Sequence, residues 1–181
     1  VWSDVYNCPE CLKQFTYYDE AFVKKSGKVE FTPEFNCPHC NCLISKNPSK
    51  KSLAQKPSRV FENHYDPISL EVEHKQKQVP VLINYSVGTK RFEKLVDAEE
   101  MQKIEKINSK EILKAFVPSA SIIEGDKSAD PFSCGVRHIH QFYTKRILLS
   151  LSKLTELSGK NPQLSFLIGS ALPKLTIMNR Y

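Results

Sequence analysis

Apolar residues recur at every second position through the first half of the chain and at every third or fourth position near its end, which predicts strands first and helices last. Residues 1–7 set Val1, Ser3 and Val5 against Trp2, Asp4 and Tyr6, the period of a strand. Residues 14–23 are aromatic and β-prone, with Phe15, Tyr17, Tyr18 and Phe22; Ser26-Gly27 then predicts a turn, and 28–32 a returning strand. Ile68, Leu70 and Val72 alternate with polar residues, as do Val79, Val81, Ile83 and Tyr85, so residues 60–85 predict a small sheet. Pro80 cannot donate to a ladder, which puts its strand at an edge or makes it the first strand residue. Ser86-Val87-Gly88-Thr89 reads as a turn.

The period lengthens after residue 96. Asp97-Ala98-Glu99-Glu100 is a helix-capping pattern, and Met101, Ile104 and Ile107 supply a thin apolar stripe, as expected of a short, charged surface helix. Residues 109–116 predict a helical turn or a strand ending before Pro118, and 119–130 a polar loop. Thr144 is placed to cap a helix over 145–157, where Ile147, Leu148, Leu151, Leu154 and Leu157 return at spacings of three and four. Ser158-Gly159 and Asn161-Pro162 stop it. A second stretch carries Leu164, Leu167, Ile168, Ala171, Leu175 and Met178, with Pro173 kinking or dividing it. The two predict a helical hairpin.

Cys8-Pro9-Glu10-Cys11 and Cys37-Pro38-His39-Cys40, separated by residues 12–36, organise the amino-terminal part. Two C-x-x-C pairs suit one Zn²⁺ in a zinc ribbon, each pair giving two thiolates from one tight turn. Disulfides would need an oxidising compartment, and a redox C-x-x-C would need a βαβ context that the pattern lacks. Cys42 and His39 add two candidate donors to the second turn, where Cys37 and Cys40 are the symmetric choice. A Cys₄ set also suits iron. Leu12 and Asn41 follow the second Cys of each pair, where Gly often sits; Asn tolerates φ > 0 and Leu does so poorly, so a strained or different first turn is expected.

The expected fold class is therefore α+β: a zinc ribbon over 1–45, a basic linker over 46–59, a small α+β region with antiparallel strands over 60–135, and a helical hairpin over 136–181. The linker holds Lys46, Lys50, Lys51, Lys56 and Arg59 with no acid among them, and reads either as a phosphate-contacting segment or as solvated surface. At 181 residues, with 40% hydrophobic and 25% charged residues, the chain is globular in composition. The formal charge of +6 falls to about +4 with four thiolates and one Zn²⁺, which permits nucleic-acid contact without demanding it. No apolar run reaches the roughly 18 residues of a membrane span. Thiolate ligands and the lack of a signal peptide point to the cytoplasm. A start at Val1 inside a strand is expected of a piece of a longer protein.

Two motifs near the end are less specific. His138-Ile139-His140, beside Arg137, Lys145 and Arg146, is compatible with a metal site, a proton-transfer pair or a phosphate contact, but residues 137–146 hold no carboxylate and structural use is the default. Cys134 reads as a small apolar residue rather than a nucleophile.

Trp2-Ser3-Asp4-Val5 before the first cysteine pair, then the second pair, then Pro80-Val81-Leu82-Ile83-Asn84-Tyr85, then Phe142-Tyr143-Thr144-Lys145-Arg146 before a Leu-rich helix, resemble a family. Together they are similar to the zinc-ribbon-containing DNA methyltransferases that modify adenine N6 or cytosine N4, in scattered blocks running to Asn179-Arg180-Tyr181. The resemblance implies an internal segment lying between the glycine-rich cofactor motif and the Asp-Pro-Pro-Phe/Tyr motif. Neither is present: Asp130-Pro131-Phe132 lacks the second Pro. Hence no catalytic and no cofactor-binding residue carries over, and S-adenosylmethionine belongs to the parent enzyme alone. The implied role is a non-catalytic segment, with structural Zn²⁺ on Cys8, Cys11, Cys37 and Cys40, that contributes to DNA binding or target recognition. Lys46, Lys50, Lys51, Lys56, Arg59, Lys145 and Arg146 are its candidate DNA contacts, and the catalytic domain of the same chain is its other partner. The competing readings are a stand-alone zinc-ribbon adaptor for protein or nucleic acid, and a purely structural insert.

Overall fold

The computed structural model describes residues 1–25, 28–110 and 117–177, with the backbone alone for residues 24, 25, 28 and 29. The expected Ser26-Gly27 turn, most of the segment at 109–116, Met178 and the block at 179–181 lie outside the described residues. Described elements are, in order, β1 (Trp2–Asn7), β2 (Gln14–Thr16), α1 (Tyr17–Ala21), β3 (Phe22–Lys25), β4 (Lys28–Phe31), β5 (Glu34–Asn36), β6 (Leu43–Ser45), β7 (Ser58–Arg59) and β8 (Phe61–Asp66). They continue as β9 (Glu71–Gln76), β10 (Gln78–Pro80), β11 (Leu82–Val87), β12 (Lys90–Leu95), α2 (Ala98–Asn108), α3 (Ala129–Ser133), α4 (Lys145–Ser158) and α5 (Pro162–Ala171). The fold is thus mixed α/β, built from small antiparallel sheets and five described helices. It divides into two compact units, Val1–Glu62 with His74–Val96, and Asn63–Glu73 with Asp97–Tyr181, rather than at residues 45, 59 and 135.

In the first unit β1 is the hub. Its first half pairs with β10, Trp2 opposite Pro80, and its second half with β2 and β7, Tyr6 opposite both Phe15 and Arg59. Pro80 is the last residue of its strand. Ser3, Asp4, Val5 and Tyr6 are all buried, so alternation does not describe this strand. The polar pair is tolerated because it is bonded: the Tyr18 amide donates to Ser3 Oγ at 2.9 Å, and Gln78 Nε2 donates to Asp4 Oδ1 at 2.7 Å. That Tyr18 bond lies in α1, a helical turn where the aromatic pattern predicts strand. It brings the fully buried Ala21 into the core before β3 and β4 form their hairpin.

The stretch expected as a linker is packed into the same unit. Gln55 exchanges backbone bonds with Ser45 and Leu43, Ser52 Oγ donates to Glu34 Oε1 at 2.6 Å, Ala54 and Pro57 are buried, and β7 extends the sheet of β1. The β11–β12 hairpin turns at Gly88, whose φ of +61° suits glycine, and stacks Tyr85 on Phe92 across the strands.

β8 and β9 form a hairpin whose far end belongs to the second unit. Here the expected strand parity is reversed. The Leu70 amide donates to the Asp66 carbonyl and the Ile68 amide to Asp66 Oδ1, so residues 66–70 make a turn with Leu70 at φ 61°, and the strand starts only at Glu71. Leu70 and Val72 are each 70% exposed, whereas Glu73 and Gln76 are buried.

In the rest of the second unit, α2 begins as expected, with Asp97 accepting from the Glu100 amide at 2.9 Å, and it buries no residue. Asp130-Pro131-Phe132 lies within α3, with Arg137 over the Phe132 ring. Thr144 occupies the N-cap position of α4 without a side-chain cap. Leu148 and Leu151 are buried, but Leu154 and Leu157 are exposed, so only the first half of the apolar stripe is covered. Asn161 caps α5 through the Gln163 and Leu164 amides, α5 touches α4, and Pro173 sits in a 3₁₀ turn after the helix ends at Ala171. No described helix is long and apolar enough to cross a membrane.

Candidate metal centre

The two cysteine turns repeat one local design. In the first, the Cys8 amide donates to the Lys13 carbonyl and the Leu12 amide to the Cys8 carbonyl; in the second, the Cys37 amide donates to the Cys42 carbonyl and the Asn41 amide to the Cys37 carbonyl. Each needs one left-handed residue, supplied by Leu12 at φ 59° and Asn41 at φ 64°. The first turn is therefore not differently made: leucine adopts the conformation that asparagine adopts in the second, at a cost of about 1–2 kcal/mol from its Cβ. The flanking strands match too. Tyr6 faces Phe15 across β1 and β2, Phe35 faces Ile44 across β5 and β6, and all four are buried beside Cys8 and Cys37. Phe15 meets Phe35 edge-on at 5.7 Å, and Tyr17 does the same at 5.7 Å, so the two hairpins share an aromatic core that aims their thiols at one another.

The sulfurs of Cys8, Cys11, Cys37 and Cys40 all lie within 4.8 Å of one another. Cys8 is 3.6 Å from Cys40 and Cys11 is 3.8 Å from Cys37. Four thiolates about 2.3 Å from a tetrahedral Zn²⁺ stand about 3.8 Å apart, so the donor set fits that ion. Its electrostatics suit a cation. Burial raises the Cys8 thiol, but the amides of Cys11 and Glu10 outweigh it and bring it down to about 6. The Lys13 amide favours a Cys11 thiolate, yet burial and the neighbouring sulfurs push that thiol up to about 11; the Cys42 amide and the same opposing causes leave Cys40 at about 11. One negative charge is welcome here and further ones repel, which a divalent cation reverses.

The extra donors of the second turn have separate positions. Cys42 corresponds to Lys13, closes its turn through its carbonyl, and places its sulfur 3.3 Å from that of Cys8. His39 Nε2 lies 3.2 Å from the Gln14 carbonyl, which ties the second turn to the end of the first.

The candidate DNA contacts fall into two groups. Lys50, Lys51, Lys56 and Arg146 are exposed, and Arg59, also exposed, bonds the Tyr6 side chain. Lys46 instead lies over the Tyr17 ring at 3.5 Å and beside Asp4 at 3.7 Å, and Lys145 donates to the Asn108 carbonyl at 2.5 Å. Cys134 is half-buried at the end of α3, 3.8 Å from Ser133 Oγ.

His138 and His140 are not without carboxylates. His140 Nε2 is bonded to Asp66 Oδ2, His138 Nδ1 is 3.5 Å from Glu73 Oε1, and Gln141 Nε2 is bonded to Glu73. Sequence reasoning missed Asp66 and Glu73, since they stand far from the histidines in the chain and Glu73 occupies a position that alternation assigns to solvent. No family model, curated protein or solved structure matches the chain.

Proposed function

We propose that this chain is a non-catalytic zinc-ribbon segment of a site-specific DNA methyltransferase. The convergence of four cysteine sulfurs within 4.8 Å from two matched turns carries the zinc part of the reading. The methyltransferase part rests on the resemblance carried by Phe142-Tyr143-Thr144-Lys145-Arg146, and its support is that Thr144 stands at the N-cap of α4 with Lys145 and Arg146 in the first turn. The parent reaction would transfer a methyl group from S-adenosylmethionine to an exocyclic amine of a base turned out of the stack. This segment contributes no residue to that chemistry. Its exposed Lys50, Lys51, Lys56 and Arg146 supply phosphate contacts. The exposed apolar side chains of Leu154, Leu157, Leu164, Phe166 and Leu167, on a hairpin of α4 and α5, pack against the catalytic domain.

The test is charge reversal at Lys50, Lys51 and Lys56 in the intact enzyme, with DNA affinity measured over a range of salt. The expected result is weaker binding and a shallower salt slope, by about 0.9 for each phosphate no longer neutralised. Unchanged affinity and slope would sink the DNA-binding role of these lysines. They would favour a purely structural insert, the reading to which the engagement of Lys46 with Tyr17 and of Lys145 with Asn108 already lends support.

A further inference from the structure

The second unit holds a concentration of charge that its apolar packing does not explain. Asp66 and Glu73 are 6% and 8% exposed, His140 is 3% exposed, and one ligand atom from each lies within 4.8 Å of the others. His138 stacks on His140 with ring centres 5.6 Å apart and turns Nδ1 toward Glu73 at 3.5 Å. The carboxylates are held from behind: Asp66 Oδ1 accepts from the Ile68 amide at 2.8 Å, and Ser69 Oγ donates to Glu73 Oε1 at 3.1 Å. Gln141 reaches both, bonded to Glu73 and 3.5 Å from Asp66.

Two neighbouring buried carboxylates require positive charge, because a desolvated anion without a partner costs several kcal/mol. His140 Nε2 is bonded to Asp66, and its Nδ1 is buried with no hydrogen-bond partner among the described residues. Two oxygens and one imidazole nitrogen, with a second imidazole at the rim, form a donor set for a divalent ion of borderline hardness.

We propose that Asp66, Glu73 and His140, with His138 beside them, form a second metal site that takes a divalent cation through carboxylate oxygen and imidazole nitrogen. The ion clamps the turn at 66–70 and the start of β9 to the 3₁₀ turn Ile139–Phe142, and so fixes the segment that leads into α4. Its chemistry differs from that of the cysteine centre, since a hard or borderline ion prefers this oxygen-rich set and a thiophilic one prefers the four sulfurs.

That difference provides the test. Titration of the full chain with Co²⁺ should show two equivalents, one giving thiolate-to-cobalt charge-transfer absorption and one not. Glu73→Gln should lose the second equivalent and keep the charge-transfer band. Absence of an equivalent without charge-transfer absorption in the unaltered chain, or a Glu73→Gln variant that binds as many ions as the parent, overturns the proposal. Should that variant fail to fold, substoichiometric Mn²⁺ added to the unaltered chain decides the matter. Selective broadening of the His138 and His140 ring signals in NMR spectra supports the site, and unbroadened signals refute it. Mn²⁺ binds thiolates poorly, so this outcome does not depend on whether the cysteine centre binds zinc.

Discussion

Leu12 holds a left-handed backbone conformation while 73% of its surface is exposed, so it carries a steric cost that no burial offsets. Leu12→Asn, which copies the residue at the matching position of the second turn, should raise stability by about 0.5–1 kcal/mol, measured by denaturant unfolding with metal present. The choice of fourth ligand between Cys40 and Cys42 is tested at the same scale. Cys40 belongs to the set of four mutually close sulfurs, whereas Cys42 uses its backbone to close the turn. Cys42→Ser should therefore retain one zinc per chain at the cysteine centre and Cys40→Ser should weaken it strongly, as read by competition with a chelator. The reverse order would transfer the ligand role to Cys42.

Among the elements, α5 shows how local signals can fix a helix that buries nothing. Pro162 opens it, the Asn161 side chain accepts from two amides, and none of its residues is buried. With so little packing, the cap matters, and Asn161→Ala should cost about 1 kcal/mol in the stability of the second unit. A cost below a few tenths would mean that packing on α4 alone holds the helix. β9 shows the opposite case, an element whose local pattern misleads. Leu70 and Val72 look like an inward face, but the hydrogen bonds that Asp66 makes to Ile68 and Leu70 delay the strand and turn Glu73 inward. A turn closed by one side chain can outweigh two apolar residues because it decides where the alternation begins.

For the molecule as a whole, the buried cysteines Cys8 and Cys37 are part of the same core as Tyr6, Phe15, Phe35 and Ile44. A metal held by these thiolates would therefore be coupled to folding of the first unit. Chelation, or Cys8→Ser, should abolish hydrogen-exchange protection in β1, β2, β5 and β6 while α4 keeps its own, because Leu148 and Leu151 pack within the second unit. Protection that persists in β1 after complete metal removal would show that the aromatic cluster suffices without the ion. The same chelation experiment also reads the proposed second site, since removal of an oxygen-bound ion should affect protection at residues 66–73 and 138–142.

The sequence by itself determined the features whose partners are near in the chain or whose chemistry is unmistakable. The four cysteine positions, the Asp97 cap, the α4 stripe and the stop at Gly159 and Asn161 all depend on spacing of a few residues, which local geometry fixes. Tertiary structure alone decided the remainder. It set which half of the α4 stripe is covered, turned the apparent linker at 46–59 into packed chain by bonding Gln55 to β6, and engaged Lys46 on an aromatic ring. It also brought Asp66 and Glu73 to His140 across most of the second unit's sequence. The physical reason is that charge, unlike apolarity, carries no period: a buried carboxylate is indistinguishable from a solvated one until the fold supplies the groups around it.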